Sequence, residues 1–241
     1  AGLKEDDKFV CLLVRDSGYK NTYQPNNDIQ DYWNYHNHRN SDIDTYAKGA
    51  LALAEKGYWV FRMGKFVLKP FNCKHEKIID YATSNKKNDF LDIWLMANCS
   101  FVITTGTGLD EVSIAYRKPL AMLNNIPVGD VPYYTSAITY FKKLRWKKNN
   151  KKLTLREYIN NNYGQYEKYL QNGIDIIDLT EDEIKDAVLE MEERFSGTWK
   201  DNKNDIQLQD KFWQIYEDYG KSENTPSKSR CFIHPEHKIS A

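Results

Sequence analysis

The sequence predicts an α/β protein with a doubly wound parallel sheet, and two features of the chain support this prediction. Short, continuous apolar runs recur through the first half of the chain, and such runs are typical of strands that are buried on both faces. Stretches with helical spacing of apolar residues separate these runs, so successive strands are expected to be joined by right-handed crossover helices. With 241 residues, 41% of them hydrophobic, the chain is long enough to form one such core.

Five strands are predicted from these apolar runs, at residues 9–14, 58–62, 78–82, 100–104 and 120–123. The first run stops at Arg15 and Asp16, and the second ends at Arg62, before Met63 and Gly64. Because the carboxyl ends of parallel strands lie at one edge of a sheet, we expect the polar residues that follow these strands to lie close together.

Helical signals occupy the segments between the strands. A polar loop is predicted at 17–40, after which Ser41 is a candidate N-cap with Asp44 three residues later. The helix that Ser41 begins ends at Gly57. A second helix is predicted from an apolar face that comprises Phe90, Ile93, Trp94 and Ala97, and a third helix is predicted at 109–116.

The second half of the chain, beyond about Pro132, is predicted to be mostly helical and to end in a polar tail from residue 222. Its helices are predicted at 155–160, 184–195 and 208–219. We therefore divide the chain into a doubly wound core at 1–135 and a helical C-terminal extension at 136–241 that packs on the same lobe.

The charge balance and the cysteines argue against several classes of protein. Thirty-four basic and 34 acidic side chains give a formal net charge of 0, which argues against nucleic acid as a partner. No apolar run has the length of a transmembrane helix, and the charged N-terminus does not resemble a signal peptide. The four cysteines have neither metal-ligand nor disulfide-framework spacing, so a cytoplasmic location is predicted. The chain begins at Ala1-Gly2 without Met, and we expect it to be a piece of a longer protein.

Neither a metal nor another cofactor is expected. Asp42 and Asp44 form a D-x-D pattern, but they fall in the first predicted helical turn after Ser41, where acids interact favourably with the helix dipole. The histidines do not form a credible set of metal ligands. Those considered are His36, His38, His234 and His237.

Four polar segments follow predicted strands and are candidates for a binding site: Arg15-Asp16, Arg62-Met63-Gly64, Asp80-Tyr81 and Thr105-Gly106-Thr107-Gly108. Arg15 and Arg62 could clamp a diphosphate with their planar donor groups, or each could form a structural ion pair. The turn at 105–108 could offer N–H groups and hydroxyls to a phosphate, or it could be a tight turn with no ligand. Glu111 stands where a dinucleotide fingerprint requires Gly, and no G-K-[ST] follows, so both common nucleotide motifs are disfavoured.

The charges are unevenly distributed along the second half of the chain. Residues 142–152 carry seven cations together with Leu144 and Trp146, and residues 175–193 carry nine acids and one lysine. The basic segment could touch an anionic lipid surface or an acidic acceptor, or it could be a solvated loop. The acidic segment is interpreted as one face of a helix.

Several blocks of the sequence resemble a single family, and they occur in order through most of the chain. The blocks are residues 10–19, 38–43, 57–64, 79–82, 103–109, 144–158 and 208–213. They are similar to glycosyltransferases of bacterial surface-polysaccharide biosynthesis, which have a GT-B-like architecture of two Rossmann-like lobes. This chain has the length of one such lobe.

The resemblance implies a nucleotide-sugar donor site in a Rossmann-like core at 1–135, with the other lobe of the enzyme outside this chain. Arg15 is similar to the strand-end arginine of fucosyltransferase-type enzymes, which contacts the β-phosphate of the donor. Two positions depart from the family pattern. Leu13 stands where the family usually has His, and the turn reads Thr104-Thr105-Gly106-Thr107-Gly108 where the family usually has G-T-T-S-G.

The sequence therefore predicts a cytoplasmic glycosyltransferase, or its donor-binding lobe, with a possible peripheral contact of 142–152 at the inner face of the membrane. It would move a sugar from a nucleoside diphosphate to a surface glycan or a lipid-linked acceptor. Arg15 and Asp16 are the catalytic candidates: Arg15 to neutralise the leaving diphosphate together with Arg62, and Asp16 as a base. Tyr81 is expected to stack on the nucleotide base. The substrate-binding candidates are Arg39, Asn40, Ser41, Arg62, Gly64, Asp80, Tyr81, Thr105, Gly106, Thr107 and Gly108.

Two other functions stay open at this point. One is a nucleotide-sugar epimerase on a similar fold. The other is a non-catalytic nucleotide-sugar-binding module or partner subunit.

Overall fold

Six parallel strands form the main sheet of the protein. The computed structural model describes residues 2–23, 34–129 and 137–222. The strands of this sheet are β1 (Phe9–Leu13), β2 (Trp59–Arg62), β3 (Ile78–Ile79), β4 (Val102–Thr104), β5 (Leu120–Asn125) and β6 (Ala137–Phe141). They lie in the order β3-β2-β1-β4-β5-β6, and every neighbouring pair is parallel. This is a Rossmann-like order, and it reverses direction between β1 and β4, the point at which doubly wound sheets bind ligands.

Helices cover both faces of the sheet. They are α1 (Gly18–Tyr23), α2 (Ala47–Glu55), α3 (Asp89–Asn98), α4 (Asp110–Ala115), α5 (Leu155–Asn160), α6 (Tyr166–Gln171), α7 (Glu181–Ser196) and α8 (Lys203–Ser222). Single 3₁₀ turns occur at Asn34–Arg39, Ile43–Tyr46 and Tyr81–Thr83. The helices α2 and α7 pack against one face through Leu53 and Val188, and α3 packs against the other through Leu95 and Met96.

The central strand β1 explains why its sequence lacks polar alternation. Val10 and Leu12 point into the core that contains α2 and α7, whereas Cys11 and Leu13 point into the core that contains α3. Successive side chains of a strand point to opposite faces, so a strand with a core on each side must be apolar throughout. All five strands predicted from apolar runs are present, four of them with slightly different ends. The strand predicted at 78–82 covers only Ile78–Ile79, because Tyr81–Thr83 forms a 3₁₀ helix.

The first predicted helix begins one residue later than expected. Asp42, not Ser41, caps the turn Ile43–Tyr46, since its carboxylate accepts the Asp44 N–H at 3.0 Å. The helix α2 follows directly, and the chain leaves it through Gly57, whose φ of 98° favours glycine. Lys69 pairs with Asp42 and with Asp44, at 2.6 Å each, so the D-x-D pattern is engaged in capping and ion pairing.

The predicted buried face of the second helix was wrong for three of its four residues, whereas the fourth, Ala97, is buried. Phe90, Ile93 and Trp94 are 73%, 45% and 45% exposed, whereas α3 buries Leu95 and Met96. The helix is apolar on nearly every side, so the spacing of its apolar residues was compatible with more than one orientation. Packing against the sheet selected the orientation.

The prediction of a mostly helical second half was wrong for residues 137–141, 143–146 and 174–177, which form strands. The main sheet runs past the predicted boundary at 135, because β6 pairs with β5. A further pair of antiparallel strands follows, β7 (Lys143–Trp146) and β8 (Ile174–Ile177). Cationic and apolar residues alternate in β7, which is the pattern of a half-buried strand.

The helix predicted at 155–160 is confirmed, and α7 and α8 contain the other two. Most of the predicted polar tail, from residue 223, lies outside the described residues. In the part of the chain that the structure describes, no helix is both long and apolar enough to cross a membrane.

Replacing Leu12 by Ala should lower the free energy of unfolding by about 2–5 kcal/mol, because the side chain is 1% exposed and its removal leaves a cavity in the sheet core. Urea unfolding with an unchanged m-value checks this. Leu68→Ala is the matched control, since Leu68 is 60% exposed and its loss should cost less than about 0.5 kcal/mol. Equal losses in the two variants would contradict the two-sided core.

Candidate functional site

A cleft of about 490 Å³ opens at the carboxyl ends of β1, β2 and β4, beside the point where the strand order reverses. Its lining includes six of the residues that the sequence predicted to converge at this edge, namely Arg15, Asp16, Met63, Gly64, Thr107 and Gly108. The predicted convergence therefore occurs at the carboxyl edge of the sheet, as the topology requires.

Two arginines lie together at this edge without a carboxylate partner. The Nε of half-buried Arg15 donates to Asn40 Oδ1 at 3.3 Å. Arg39 lies beside Gly106, where a Cβ atom would be 3.5 Å from Arg39 Nη2. Within residues 2–23, 34–129 and 137–222, the ion pairs formed by arginines involve Arg62 and Arg194 alone. The charges of Arg15 and Arg39 are thus not neutralised by an acid in the described structure.

The pKa values of the neighbouring groups reflect this excess of positive charge. Burial, and then the charge of Arg39, lowers the pKa of Arg15 to about 10. Burial and the two arginines lower the pKa of Lys20 to about 8. Lys20 is not among the predicted site residues, because the sequence predicts a loop at 17–40. In the structure, Lys20 belongs to α1 and lines the cleft.

The turn after β4 uses its own polar groups to hold itself together. Thr104 Oγ1 donates to Asp110 Oδ2 at 2.6 Å and accepts the Gly106 N–H at 3.1 Å, and the Thr107 N–H donates to Asp110 Oδ2 at 2.9 Å. Two of the amides predicted to meet a phosphate are therefore already engaged. The interpretation as a tight strand-to-helix turn fits this geometry, and Gly106 has the positive φ of 78° that such a turn requires.

This turn nevertheless positions the cationic side of the cleft. Thr105 Oγ1 accepts the Arg15 N–H at 2.8 Å, which ties the end of β1 to the end of β4. Asp110, which sequence reasoning missed, anchors the other side of the turn. Its carboxyl group is 2% exposed, and burial raises its pKa above the ordinary range of an aspartate.

Arg62 does not reach the surface of the cleft. Its side chain is fully buried, with Nη1 at 3.1 Å from Asp80 Oδ1 and Nη2 at 3.9 Å from Asp16 Oδ2. The structure therefore favours the alternative of a structural ion pair over a diphosphate clamp for this arginine.

The two acids around Arg62 also hold the adjoining loop. Asp16 accepts the N–H groups of Gly18 and Leu68, at 2.8 and 2.9 Å. Asp80 accepts the Phe71 N–H and the hydroxyl of Thr83, both at 2.9 Å. Both oxygens of Asp16 thus have structural partners, and its role as a base stays a prediction.

Tyr81 is not available to stack on a nucleotide base. It is 5% exposed and belongs to the core beneath α3, and its hydroxyl accepts the Asn88 N–H at 3.1 Å. Two other rings do line the cleft, Tyr19 and Phe66, with centroids 6.2 Å apart. Phe66 could not be predicted as a site residue, because it lies in an irregular segment after β2.

Asn40 and Ser41, which the sequence predicts as substrate-binding residues, both contact Arg15. The Ser41 N–H donates to Arg15 O at 3.0 Å. Asn40 is held from the other side by Lys142, whose Nζ donates to Asn40 O at 2.6 Å and to Asp178 Oδ1 at 2.7 Å. Lys142 was predicted to belong to a surface segment, but it is 3% exposed and supports the cleft.

No family model matches the chain, and no curated protein or solved structure matches it either. Among the described residues, no group of three or more His, Cys, Asp or Glu side chains could hold a metal ion. The fold and the site thus define an α/β protein with a Rossmann-like sheet and a cleft at its switch point, with Arg15 and Lys20 in the lining of the cleft.

Replacing Arg62 by Met should lower the free energy of unfolding by about 3–5 kcal/mol, because it leaves two partly buried carboxylates without their cation. Denaturant unfolding measures this. The matched control is Arg156→Met, since Arg156 is exposed and its loss should cost less than about 0.5 kcal/mol. A small stability loss in the Arg62 variant would contradict a structural role.

His38 should make the fold sensitive to acid. Its ring is 3% exposed, and burial lowers its pKa from 6.5 to about 4. The unfolded chain therefore takes up a proton first as the pH falls, so stability that is present above about pH 6.5 is lost towards about pH 4. His38→Asn removes this titration, and its unfolding free energy, measured in urea between these pH values, should fall less than that of the wild type. Parallel curves for the two proteins would refute the assignment.

Proposed function

We propose that this chain binds the diphosphate of a nucleoside-diphosphate sugar in the cleft and acts as a glycosyltransferase or as the donor-binding lobe of one. The observation that carries the proposal is the pair formed by Arg15 and Arg39. These two guanidinium groups lie at the switch point of the sheet, and none of the carboxylates that the structure describes forms an ion pair with them.

The charge of the cleft favours an anion with several negative oxygens. Arg15 and Arg39 repel each other, and burial weakens the screening of that repulsion by water. A bound diphosphate offsets this cost, because each planar guanidinium can donate two parallel hydrogen bonds to phosphate oxygens. Lys20 adds a third cation and lines the cleft together with Arg15, whereas Arg39 lies beside Gly106 at the same edge of the sheet.

The size and lining of the cleft suit a nucleotide sugar rather than an inorganic anion alone. Its volume of about 490 Å³ lies in the range of small-molecule sites. Phe66, Ile93 and Leu109 add apolar surface to the lining of the cleft, and Asp89 and Asp92 also line it. Such a mixture offers contacts for a base and for sugar hydroxyls beside the diphosphate site.

Glycosyl transfer is the chemistry that makes most use of this arrangement. Negative charge develops on the diphosphate as the bond to the sugar breaks, and fixed cations stabilise that charge where it forms. The resemblance of several sequence blocks to glycosyltransferases of surface-polysaccharide biosynthesis supports the same reaction. The acceptor would be a surface glycan or a lipid-linked glycan.

Calorimetric titration with UDP-, GDP- and dTDP-sugars tests the donor site. We expect at least one of them to bind, and we expect Arg15→Gln and Arg39→Gln to weaken it by about 10- to 150-fold, the worth of a charged hydrogen bond of about 1.5–3 kcal/mol. Arg156→Gln, at an exposed arginine outside the cleft, should leave the affinity unchanged.

Failure of the folded protein to bind any of these donors would overturn the donor site. If a donor binds, release of its nucleoside diphosphate should depend on an added glycolipid extract. Conversion of the donor sugar without an acceptor, observed by NMR, would instead indicate an epimerase.

A further inference from the structure

The hairpin formed by β7 and the residues after it carries a strongly basic tip that the proposed cleft does not use. Two of the seven cations in 142–152 form ion pairs: the buried Lys142 with Asp178, and the partly exposed Lys143 with Glu183. Four others are exposed around one turn, Lys147, Lys148, Lys151 and Lys152, and we call them the basic tip. In the described part of the chain, the one ion pair of this tip joins Lys147 to Asp175, at 3.6 Å.

The backbone holds these lysines in a fixed arrangement. The Trp146 N–H donates to Lys151 O at 2.9 Å, the Asn150 N–H donates to Trp146 O at 2.9 Å, and Arg145 is bridged to Lys152. Leu144 and other buried residues form a separate small core beneath the hairpin. The tip is therefore ordered before it meets a partner, and little conformational freedom is lost on binding.

Apolar groups accompany the charge. Lys148 Nζ lies 5.4 Å from the centre of the half-buried Trp146 ring. Leu170 is 41% exposed and is connected to the tip through Gly173, which donates to Leu170 O at 3.0 Å and accepts from the Lys147 N–H at 2.9 Å. A cationic surface with an adjoining apolar side chain matches the interface of a bilayer, where headgroups lie above acyl chains.

We propose that the basic tip docks the protein on the surface of an anionic lipid bilayer. All four cations of the tip are lysines, which act as point charges and suit the diffuse negative potential of a membrane. Specific recognition of a nucleic-acid backbone more often uses the planar fork of arginine, and the tip contains none. The chain has no net charge, so attraction to the membrane depends on this local concentration of cations.

Sedimentation with lipid vesicles tests the proposal on the full chain. We expect the protein to pellet with phosphatidylcholine vesicles that contain about 30% phosphatidylglycerol, but not with phosphatidylcholine alone, and to be released when the salt is raised from about 0.1 to about 0.5 M. A wild-type protein that stays in solution with the anionic vesicles at low salt would overturn the proposal.

A pair of matched triple variants locates the contact. Replacing Lys147, Lys148 and Lys151 by Gln should weaken binding about a hundred-fold, at about five-fold for each lysine. The control replaces Lys4, Lys74 and Lys86, which are exposed and distant in sequence from the tip, and changes the net charge equally. It should bind within about two-fold of the wild type, whereas equal losses in both variants would show that only the overall charge matters and would refute the docking role.

Leu170→Gln separates a membrane from an acidic polymer. We expect it to weaken binding to anionic vesicles and to leave any binding of a single-stranded oligonucleotide unchanged. Oligonucleotide binding as tight as vesicle binding, with no effect of Leu170→Gln on either, would overturn the membrane proposal. Titration of the basic-tip variant with the donor should match the wild type, so this test is independent of the proposed function of the cleft.

Discussion

The floor of the cleft depends on one buried cation. Arg62 is removed from water, and a charge in that position must be neutralised by acids close by. Asp80 and Asp16 supply that neutralisation, and their remaining hydrogen-bonding capacity holds main-chain N–H groups at residues 18, 68 and 71. A single buried charge thus fixes the end of β2 and the loops on either side of it, which gives the cleft a defined shape before any ligand enters.

The positively charged groups at this edge of the sheet come from separate parts of the chain. Arg15 is held through its main chain by Thr105 and Ser41, and through its side chain by Asn40. Arg39 reaches the same place from a short 3₁₀ turn. The groups that hold Arg15 are neutral, and no acid among the described residues forms an ion pair with Arg15 or Arg39, so their positive charge is not cancelled there. Stability and charge are thus provided by different residues, with Arg62 serving the first and Arg15 and Arg39 the second.

The elements that could be predicted from the sequence are those that face a hydrophobic core on both sides. Strands such as β1 are apolar throughout because they face two cores, and this pattern is visible without a structure. The strand β6 was missed because its five residues follow a Pro-rich, aromatic segment that gave no strand signal. The orientation of α3 could not be predicted, because a helix that is apolar on most sides has several possible buried faces. The location of the site followed from strand order, but the roles of its residues depend on burial. In sequence, an arginine at a strand end looks the same whether its side chain enters the cleft, as with Arg15, or the interior, as with Arg62.

Lys142 connects two parts of the fold that are far apart in the sequence. It follows the edge strand β6, yet its amine holds Asn40, 102 residues earlier in the chain. A chain that ended at residue 135 would keep β1 to β5 and every side chain that lines the cleft, but it would lack both this amine and α7, which covers one face of the sheet. Residues 1–135 alone would therefore lack part of the core and the amine that holds Asn40. Contacts of such large sequence separation raise the contact order of a domain, so we expect them to slow its folding.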